Sequence, residues 1–176
     1  DFNRAGTPLI EIVSEPDMHS AKEAAAYVET LRKNLLYLNV SDVKMEEGSM
    51  RCDVNISLSK DKDTLGTKTE IKNLNSIANV QKAVQAEIER QSALLDAGEK
   101  VEQATRRYDE AQKTTILMRK KEGNVDYKYF PEPNIFPIQL DLDWVKSIQD
   151  NLEELPDARL ARFMKDYELG EYDASV

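Results

Sequence analysis

The residues best suited to chemistry lie in residues 47–57, where charged and amide side chains alternate with small or apolar ones. The odd-numbered positions include Glu47, Arg51, Asp53 and Asn55, whereas the even-numbered positions are Gly, Met, Cys, Val and Ile. This period of two predicts a strand with one buried face and one polar face. Residues that follow each other on the polar face would lie about 7 Å apart. Acids, a guanidinium and an amide in such a row favour a site for metal and phosphate.

Two further predicted strands carry carboxylates in the same way. Residues 7–15 place Glu11 and Glu15 on one face, and residues 66–74 place Glu70 and Lys72 on one face. Carboxylate oxygens are ligands that Mg²⁺ prefers, and phosphate oxygens commonly complete its octahedron. Phosphoryl transfer depends mainly on positioning and charge neutralisation, so this set indicates that reaction class. The side chains able to neutralise phosphate charge are Arg4, Arg51, Lys72, Arg107 and Arg119.

The residues alone leave a second interpretation open, in which the polar face is simply solvent-exposed and cross-strand ion pairs stabilise the sheet. Other kinds of site are excluded, because the sequence has no Gly-rich phosphate loop and no Ser-His-Asp triad can be built. His19 is the only histidine, and it precedes a helix cap, which indicates a surface position. Cys52 lies on the apolar side of its strand, which predicts a buried, unreactive thiol.

The elements that must position these residues are strands and helices in mixed order. The sequence Ser20-Ala21-Lys22-Glu23 is a capping box and predicts that a helix follows. After residue 141 the apolar residues have helical spacing and no strand pattern occurs, so we predict a boundary between residues 1–141 and 142–176. The other predicted elements are strands over residues 7–15, 45–58, 66–74, 102–109 and 114–118 and a helix over residues 76–95.

Composition sets further bounds on function. The chain has 176 residues, 40% hydrophobic and 32% charged, which permits a packed core. Its net charge of -9 is unlike that of a general nucleic-acid binder, so a nucleic acid must meet a local patch or another protein of an assembly. A single cysteine fits a reducing compartment. No apolar run approaches the roughly 20 residues of a membrane span. The start at Asp1, inside a strand-like motif, leads us to expect an internal fragment of a longer protein.

Several motifs resemble, in order, those of the B subunits of the aspartyl/glutamyl-tRNA(Asn/Gln) amidotransferases. Among them are Glu70-Ile71-Lys72-Asn73-Leu74-Asn75-Ser76 and Thr105-Arg106-Arg107-Tyr108-Asp109. The resemblance covers nearly the whole chain. The motifs lie at residues 4–13, 45–57, 66–76, 105–109, 118–122, 126–133 and 155–159.

The resemblance implies an α+β fold in which an antiparallel sheet is flanked by helices, like the cradle of glutamine synthetase and the guanidino kinases. Residues 1–141 would be this kinase-type cradle without its N-terminal part, and residues 142–176 the start of an all-α helical domain. It also implies a heterotrimer whose other members are an amidase, the A component, and a small protein, the C component. The B subunit would use ATP and Mg²⁺ to phosphorylate the side-chain carboxylate of Glu-tRNA(Gln), Asp-tRNA(Asn) or both. Ammonia from glutamine would then attack the acyl phosphate, which makes the complex a carbon-nitrogen ligase.

On this basis we predict that Glu11, Glu47, Glu70, Arg51 and Asp53 are catalytic and that the three glutamates hold metal. For nucleotide binding we predict Arg4, Lys72, Asn73, Arg107 and Arg119. The family's early Gly-Leu-Glu-x-His segment lies upstream of residue 1, so we expect the fragment alone to be inactive. We expect the cytoplasm, or an organellar matrix or stroma, and no membrane partner. The alternatives are a non-catalytic scaffold that cradles tRNA and docks the amidase, and a free-standing carboxylate or guanidino kinase.

Overall fold

The computed structural model describes residues 6–61, 63–120, 130–131 and 133–176. Strands and helices alternate irregularly along these ranges, so the predicted α+β class is confirmed. The elements in chain order are α1 (Ala21–Tyr37), β1 (Cys52–Ile56), β2 (Thr69–Leu74), α2 (Ile77–Asp96), β3 (Ala104–Asp109), β4 (Thr114–Lys120), α3 (Leu142–Asp150), α4 (Pro156–Asp166) and α5 (Glu171–Ser175).

The four strands form one sheet in the order β1-β2-β3-β4. The outer pairings, β1 with β2 and β3 with β4, are antiparallel, as the family resemblance implies. The central pairing of β2 with β3 is parallel, so the sheet is mixed, whereas the resemblance implies an antiparallel sheet. The reason is that α2 lies between these strands and returns the chain to the end of the sheet where β2 began. Parallel neighbours need such a crossover connection.

The two long helices begin where their capping residues predict. The Ser20 Oγ accepts a hydrogen bond from the Glu23 amide at 3.1 Å, and the Ser76 Oγ accepts one from the Asn79 amide at 3.1 Å. Each bond satisfies an amide that has no partner inside its own helix. The caps therefore fix the first turns of α1 and α2.

The core lies between these helices and one face of the sheet. Val28 of α1, Ile71 and Leu74 of β2, and Val80 and Ala83 of α2 are buried in a single cluster. Burial of apolar side chains is the main driving force that holds helices against a sheet. We call the sheet face that these helices do not cover the open face.

Two predicted strands differ from the structure, the first along its whole length and the second at its N-terminal end. Residues 7–15 form no strand, and Leu9 is 92% exposed. No other described strand pairs with this segment, so its backbone lacks the ladder that a strand requires. The second predicted strand begins only at Cys52, because residues 45–48 form a turn in which Gly48 has φ 79°. Glu47 and Arg51 therefore lie before β1 and not on its polar face.

The helical pattern after residue 141 is confirmed by α3, α4 and α5, and Pro156 occupies the first turn of α4 as predicted. The Arg159 guanidinium of α4 lies 5.4 Å from the ring centre of Tyr37 in α1. The domain boundary at residue 141 itself stays a prediction. Within the described ranges, no helix combines the length and apolar character that crossing a membrane requires.

Candidate functional site

The open face carries polar side chains from all four strands, and strand register arranges them in rows. In the first row, Asn55 lies opposite Glu70, Glu70 lies beside Thr105, and Thr105 lies opposite Arg119. Neighbouring strands are about 4.8 Å apart, so this row crosses the sheet in about 14 Å. It leads from an amide and a carboxylate at one edge to a guanidinium at the other.

The second row lies two residues along β1, β2 and β3, and three residues along β4, where the register shifts by one residue, so it shares the same face. Lys72 lies beside Arg107, and Arg107 lies opposite Ile116. Toward β1, on the same face, the Lys72 Nζ donates to the Oδ2 of Asp53 at 2.8 Å. The two rows divide the open face into an acidic half on β1 and β2 and a basic half on β3 and β4.

In the acidic half, one ammonium group lies between two carboxylates. The Lys72 Nζ is 2.8 Å from Asp53 Oδ2 and 3.3 Å from Glu70 Oε1. The Thr105 hydroxyl donates to Glu70 Oε2 at 2.9 Å. The hydrogen bond to Asp53 is the main cause that raises the pKa of Lys72, so this ammonium stays protonated. Two carboxylates are therefore held close together by a positive charge that lies between them.

The basic half presents guanidinium groups that are loosely held. Arg107 is exposed, and its Nη1 lies 3.5 Å from Asp109 Oδ2, a long contact for an ion pair. Arg119 is exposed on β4 and makes no ion pair or hydrogen bond with another described residue. Guanidinium groups in this condition are available to an anion with several oxygens, such as phosphate.

Asn73 shapes the acidic half through its backbone. Cys52 pairs with Leu74 and Val54 pairs with Ile71, so Lys72 and Asn73 together oppose the single residue Asp53. This extra residue is a β-bulge, which bends the strand and turns nearby side chains. Asn73 has φ 62°, a left-handed conformation that asparagine tolerates better than most residues.

We expect replacement of Asn73 by alanine to lower the free energy of unfolding by about 1 kcal/mol, because Cβ is disfavoured in the left-handed region. Replacement by glycine should leave stability within about 0.5 kcal/mol, since glycine adopts this conformation freely. Urea denaturation of both variants measures the difference. Equal stability of the alanine and glycine variants would contradict the left-handed conformation.

The structure does not gather the three glutamates predicted as metal ligands. Glu11 is exposed on the unpaired segment of residues 7–15, and Glu47 lies in the turn before β1 with its Oε1 2.9 Å from Lys44 Nζ. Only Glu70 lies on the open face. Across the described ranges, no three His, Cys, Asp or Glu side chains are placed to hold a metal ion together. The roles of Glu11 and Glu47 in catalysis stay predictions.

The other predicted residues fall into two groups. Asp53, Glu70, Lys72, Arg107 and Arg119 share the open face, with Asn73 at its bulge, whereas Arg51 is exposed just before β1. Arg4 lies outside the described residues. Burial raises the pKa of the half-buried Cys52 thiol to about 11, with a smaller contribution from Asp53, which agrees with an unreactive thiol.

The sequence reasoning missed Thr105, which donates to Glu70. A signal was available, because Thr105 lies two residues before Arg107 and must share its face in a regular strand. The side chain was overlooked because a hydroxyl carries no charge. Its contact with Glu70 can be found only once β2 and β3 are known to be parallel neighbours.

A buried polar network lies on the opposite side of the sheet, beneath α2. The Glu87 side chain is fully buried and accepts hydrogen bonds from Arg90 Nη2 at 2.5 Å, Thr115 Oγ1 at 2.6 Å and Gln91 Nε2 at 2.9 Å. The Arg106 Nε lies 3.6 Å from Glu87 Oε2. The network therefore joins α2 to β3 and β4 directly behind the open face.

A cavity of about 640 Å³ lies on the helix side of the sheet, between the first turn of α1, α2 and the β3–β4 turn. Its basic side chains are Lys22, Lys82 and Lys113. None of the predicted site residues lines it. The open face, and not this cavity, is therefore where most of the predicted site residues lie.

With this geometry in place, comparison with known proteins defines the class. Residues 1–146 match the family described as the GatB/GatE catalytic domain, and the chain belongs to that family. Three similar curated proteins are B subunits of aspartyl/glutamyl-tRNA(Asn/Gln) amidotransferases. They come from Oceanobacillus iheyensis, Moorella thermoacetica and Bacillus licheniformis, with identities of 55%, 53% and 54%. Each alignment covers 100% of this chain and 37% of the relative, so the chain spans little more than a third of their length. The family resemblance inferred from the motifs is confirmed.

Proposed function

We propose that the open face binds the phosphates of ATP and phosphorylates the side-chain carboxylate of a tRNA-bound glutamate or aspartate. The observation that carries this proposal is the division of one sheet face into two halves. Asp53 and Glu70 supply carboxylates on β1 and β2, and Arg107 and Arg119 supply guanidinium groups on β3 and β4. Membership of the GatB/GatE catalytic domain family supports an amidotransferase role.

The acidic half fits Mg²⁺. This ion is commonly held by one or two carboxylates while waters and substrate phosphates complete its coordination. Asp53 and Glu70 would provide those carboxylates, and the ion would supply charge neutralisation at the phosphate oxygens. The Lys72 ammonium, which lies between the same two carboxylates, supports the proposal that this position binds a cation. For a metal ion to bind there, the Lys72 ammonium would have to move away from these carboxylates, and it would then be available to phosphate.

The basic half suits the phosphoryl group being transferred. A carboxylate oxygen of the amino acid attacks the γ-phosphorus of ATP. The bond between the γ-phosphorus and the oxygen that bridges it to the β-phosphate breaks, and ADP leaves. Ammonia then attacks the carbonyl carbon of the acyl phosphate, phosphate leaves with the bonding electrons, and a proton is lost to give the amide. Arg107 and Arg119 would neutralise the phosphoryl oxygens and reduce repulsion with the attacking carboxylate.

This activity requires the complete assembly. We propose that the partners are the amidase, or A component, and the small C component of a heterotrimer, and that Glu-tRNA(Gln), Asp-tRNA(Asn) or both are the substrates. Glutamine would be the amide nitrogen donor, and the bacterial cytoplasm the location. Residues 1–141 would form the catalytic cradle and residues 142–176 the start of a helical domain. The isolated chain would not turn over substrate.

One observation favours the alternative of a non-catalytic scaffold. Lys72 lies between Asp53 and Glu70, and in a purely structural sheet these contacts would serve as cross-strand ion pairs. The two functions make different predictions for ATP turnover. A scaffold that only cradles tRNA and docks the amidase would tolerate loss of the Glu70 charge.

We expect Glu-tRNA(Gln) to stimulate ATP hydrolysis by the complete heterotrimer, and Glu70→Gln to lower the stimulated rate by about 100-fold, since one preorganised electrostatic contact contributes on this scale. The matched control is Glu29→Gln, a half-buried carboxylate on α1 that pairs with Arg32 away from the open face. It should retain activity within about twofold of the wild type. Full activity of Glu70→Gln would remove the acidic half from the reaction and favour the scaffold. Glu47→Gln in the same assay tests the role predicted for the turn before β1.

A further inference from the structure

Strand β3 contains two adjacent arginines that face opposite sides of the sheet. Arg106 lies on the helix side and its side chain is 15% exposed, whereas Arg107 lies on the open face and is 44% exposed. Successive side chains of a strand alternate between faces. A register shift of one residue therefore moves every side chain of that strand to the opposite face of the sheet. A shift toward the β3–β4 turn would put Thr105 in the place of Arg106, and Arg106 in the place of Arg107.

Apolar burial only weakly determines which register β3 adopts. On the helix side, Ala104 is buried and Tyr108 is half-buried, and the third member of this set is Arg106 itself. The pairing with β4 is already irregular here, since Thr105 pairs with Arg119 but Arg106 pairs with Leu117. The strand therefore needs another source of register specificity at this point.

The polar contacts of Arg106 supply that specificity. Its Nε donates to Thr115 Oγ1 at 2.8 Å, and its Nη2 donates to the Thr115 carbonyl at 2.7 Å. The Thr115 hydroxyl in turn donates to the fully buried Glu87 at 2.6 Å. Arg90 adds a second positive charge beside Arg106. Without the Glu87 carboxylate, neither the Arg106 nor the Arg90 guanidinium would have an ion pair with another described residue.

We infer that Glu87 is a positioning residue that fixes the register of β3, so that Arg107 and not Arg106 faces the open side. A buried charged contact is most useful as a device that selects one register among several. Glu87 does so from α2, through Arg106 and Thr115, without touching the open face. The register assignment stands on these helix-side contacts alone. Its consequence for phosphate binding rests on the proposed function.

NMR of the isotopically labelled 176-residue chain tests this inference by reading the register directly. Wild type should give one set of cross-strand contacts, with Arg107 opposite Ile116 and Asp109 opposite Thr114, and a slowly exchanging Arg106 Nε–H. Glu87→Gln should add a second set, with Arg106 opposite Ile116 and Tyr108 opposite Thr114, and should lose the protection of that Nε–H.

The matched control is Glu89→Gln on the same helix, where the exposed carboxylate accepts from Gln85 at 2.9 Å. It should keep the single native set. A Glu87→Gln variant that also keeps the single native set and the protected Arg106 Nε–H would overturn the inference, whatever its stability. If Glu87→Gln does not fold, Thr115→Val removes the hydroxyl that links Arg106 to Glu87. A second register in that variant supports the inference, and an unchanged single register overturns it. No nucleotide or tRNA is present, so the result is independent of the proposed function.

Discussion

Replacement of Glu87 by alanine should lower the free energy of unfolding by about 3–5 kcal/mol, the scale on which removal of one partner from a buried ion pair destabilises proteins. Glu87 has no exposed surface, and its carboxylate is bonded by Arg90, Gln91 and Thr115. The alanine side chain leaves these donors without their acceptor. It also leaves the Arg106 guanidinium near a second positive charge in a half-buried position.

Urea denaturation measures this loss, and Glu89→Ala is the matched control on the exposed side of α2. Because Glu89 is exposed and, among the described residues, accepts only from Gln85 of its own helix, its loss should change stability by no more than about 0.5 kcal/mol. If the two alanine variants lose equal stability, the buried network does not contribute in the way its contacts indicate.

The same carboxylate makes stability depend on pH. Burial opposes ionisation of Glu87, but hydrogen bonds from Arg90, Thr115 and Gln91 outweigh it, so the pKa lies below the ordinary value of 4.5. A carboxyl whose pKa is lower in the folded state stabilises the fold fully above its unfolded pKa. This contribution is lost as pH falls below 4.5 toward the folded pKa. The acid limb of the stability profile should therefore be shallower in Glu87→Ala than in wild type.

Replacement of Arg107 by alanine should lower tRNA-stimulated ATP turnover by the complete heterotrimer by about 10²–10³-fold, the effect of removing one preorganised electrostatic donor. Arg107 is central in the second row, beside Lys72, and its only ion pair with another described residue is the 3.5 Å contact with Asp109. Its guanidinium therefore has little to release before it binds a phosphoryl group. The loss should fall on kcat, because the charge that it neutralises develops during transfer.

Arg32→Ala is the matched control for this experiment. Arg32 lies on α1, away from the open face, and its Nη1 is 3.9 Å from Glu29 Oε1. We expect it to retain turnover within about twofold, since such a surface pair contributes little. Unchanged turnover in Arg107→Ala would contradict the assignment of the basic half to phosphate. That result would favour the interpretation in which the open face is a solvent-exposed surface and its ion pairs only stabilise the sheet.

The helices could be predicted from the sequence because their signals are local. Ser20 and Ser76 each cap a helix through a bond to a residue three positions later, so the sequence alone contains both partners. The strand predicted over residues 45–58 begins too early, because a local pattern was also its only signal. The alternation of polar with small or apolar side chains begins at Glu47, inside the turn at residues 45–48, so the periodic pattern extends beyond the strand into the turn.

The site could be predicted within each strand but not between strands. A period of two places Glu70 and Lys72 on one face, and Arg107 on the polar face of β3. Which of these meet depends on the parallel pairing of β2 with β3 and on the bulge at Asn73. Both are long-range features that no local pattern specifies. For the same reason, Glu11 lies on a segment with a strand-like pattern but no described partner strand.

The parallel centre of the sheet has a consequence for the order in which the molecule folds. Strands β3 and β4 are joined by residues 110–113, and β1 and β2 by residues 57–68, so the connection within each antiparallel pair is shorter than residues 75–103, which connect β2 to β3. The central pairing must wait for residues 75–103, including α2, and long-range closure is the slower step. The carboxylates belong to one early pair and the guanidinium groups to the other. A partly folded chain would therefore hold two half-sites of opposite charge, and the complete site would appear only with the last long-range contact.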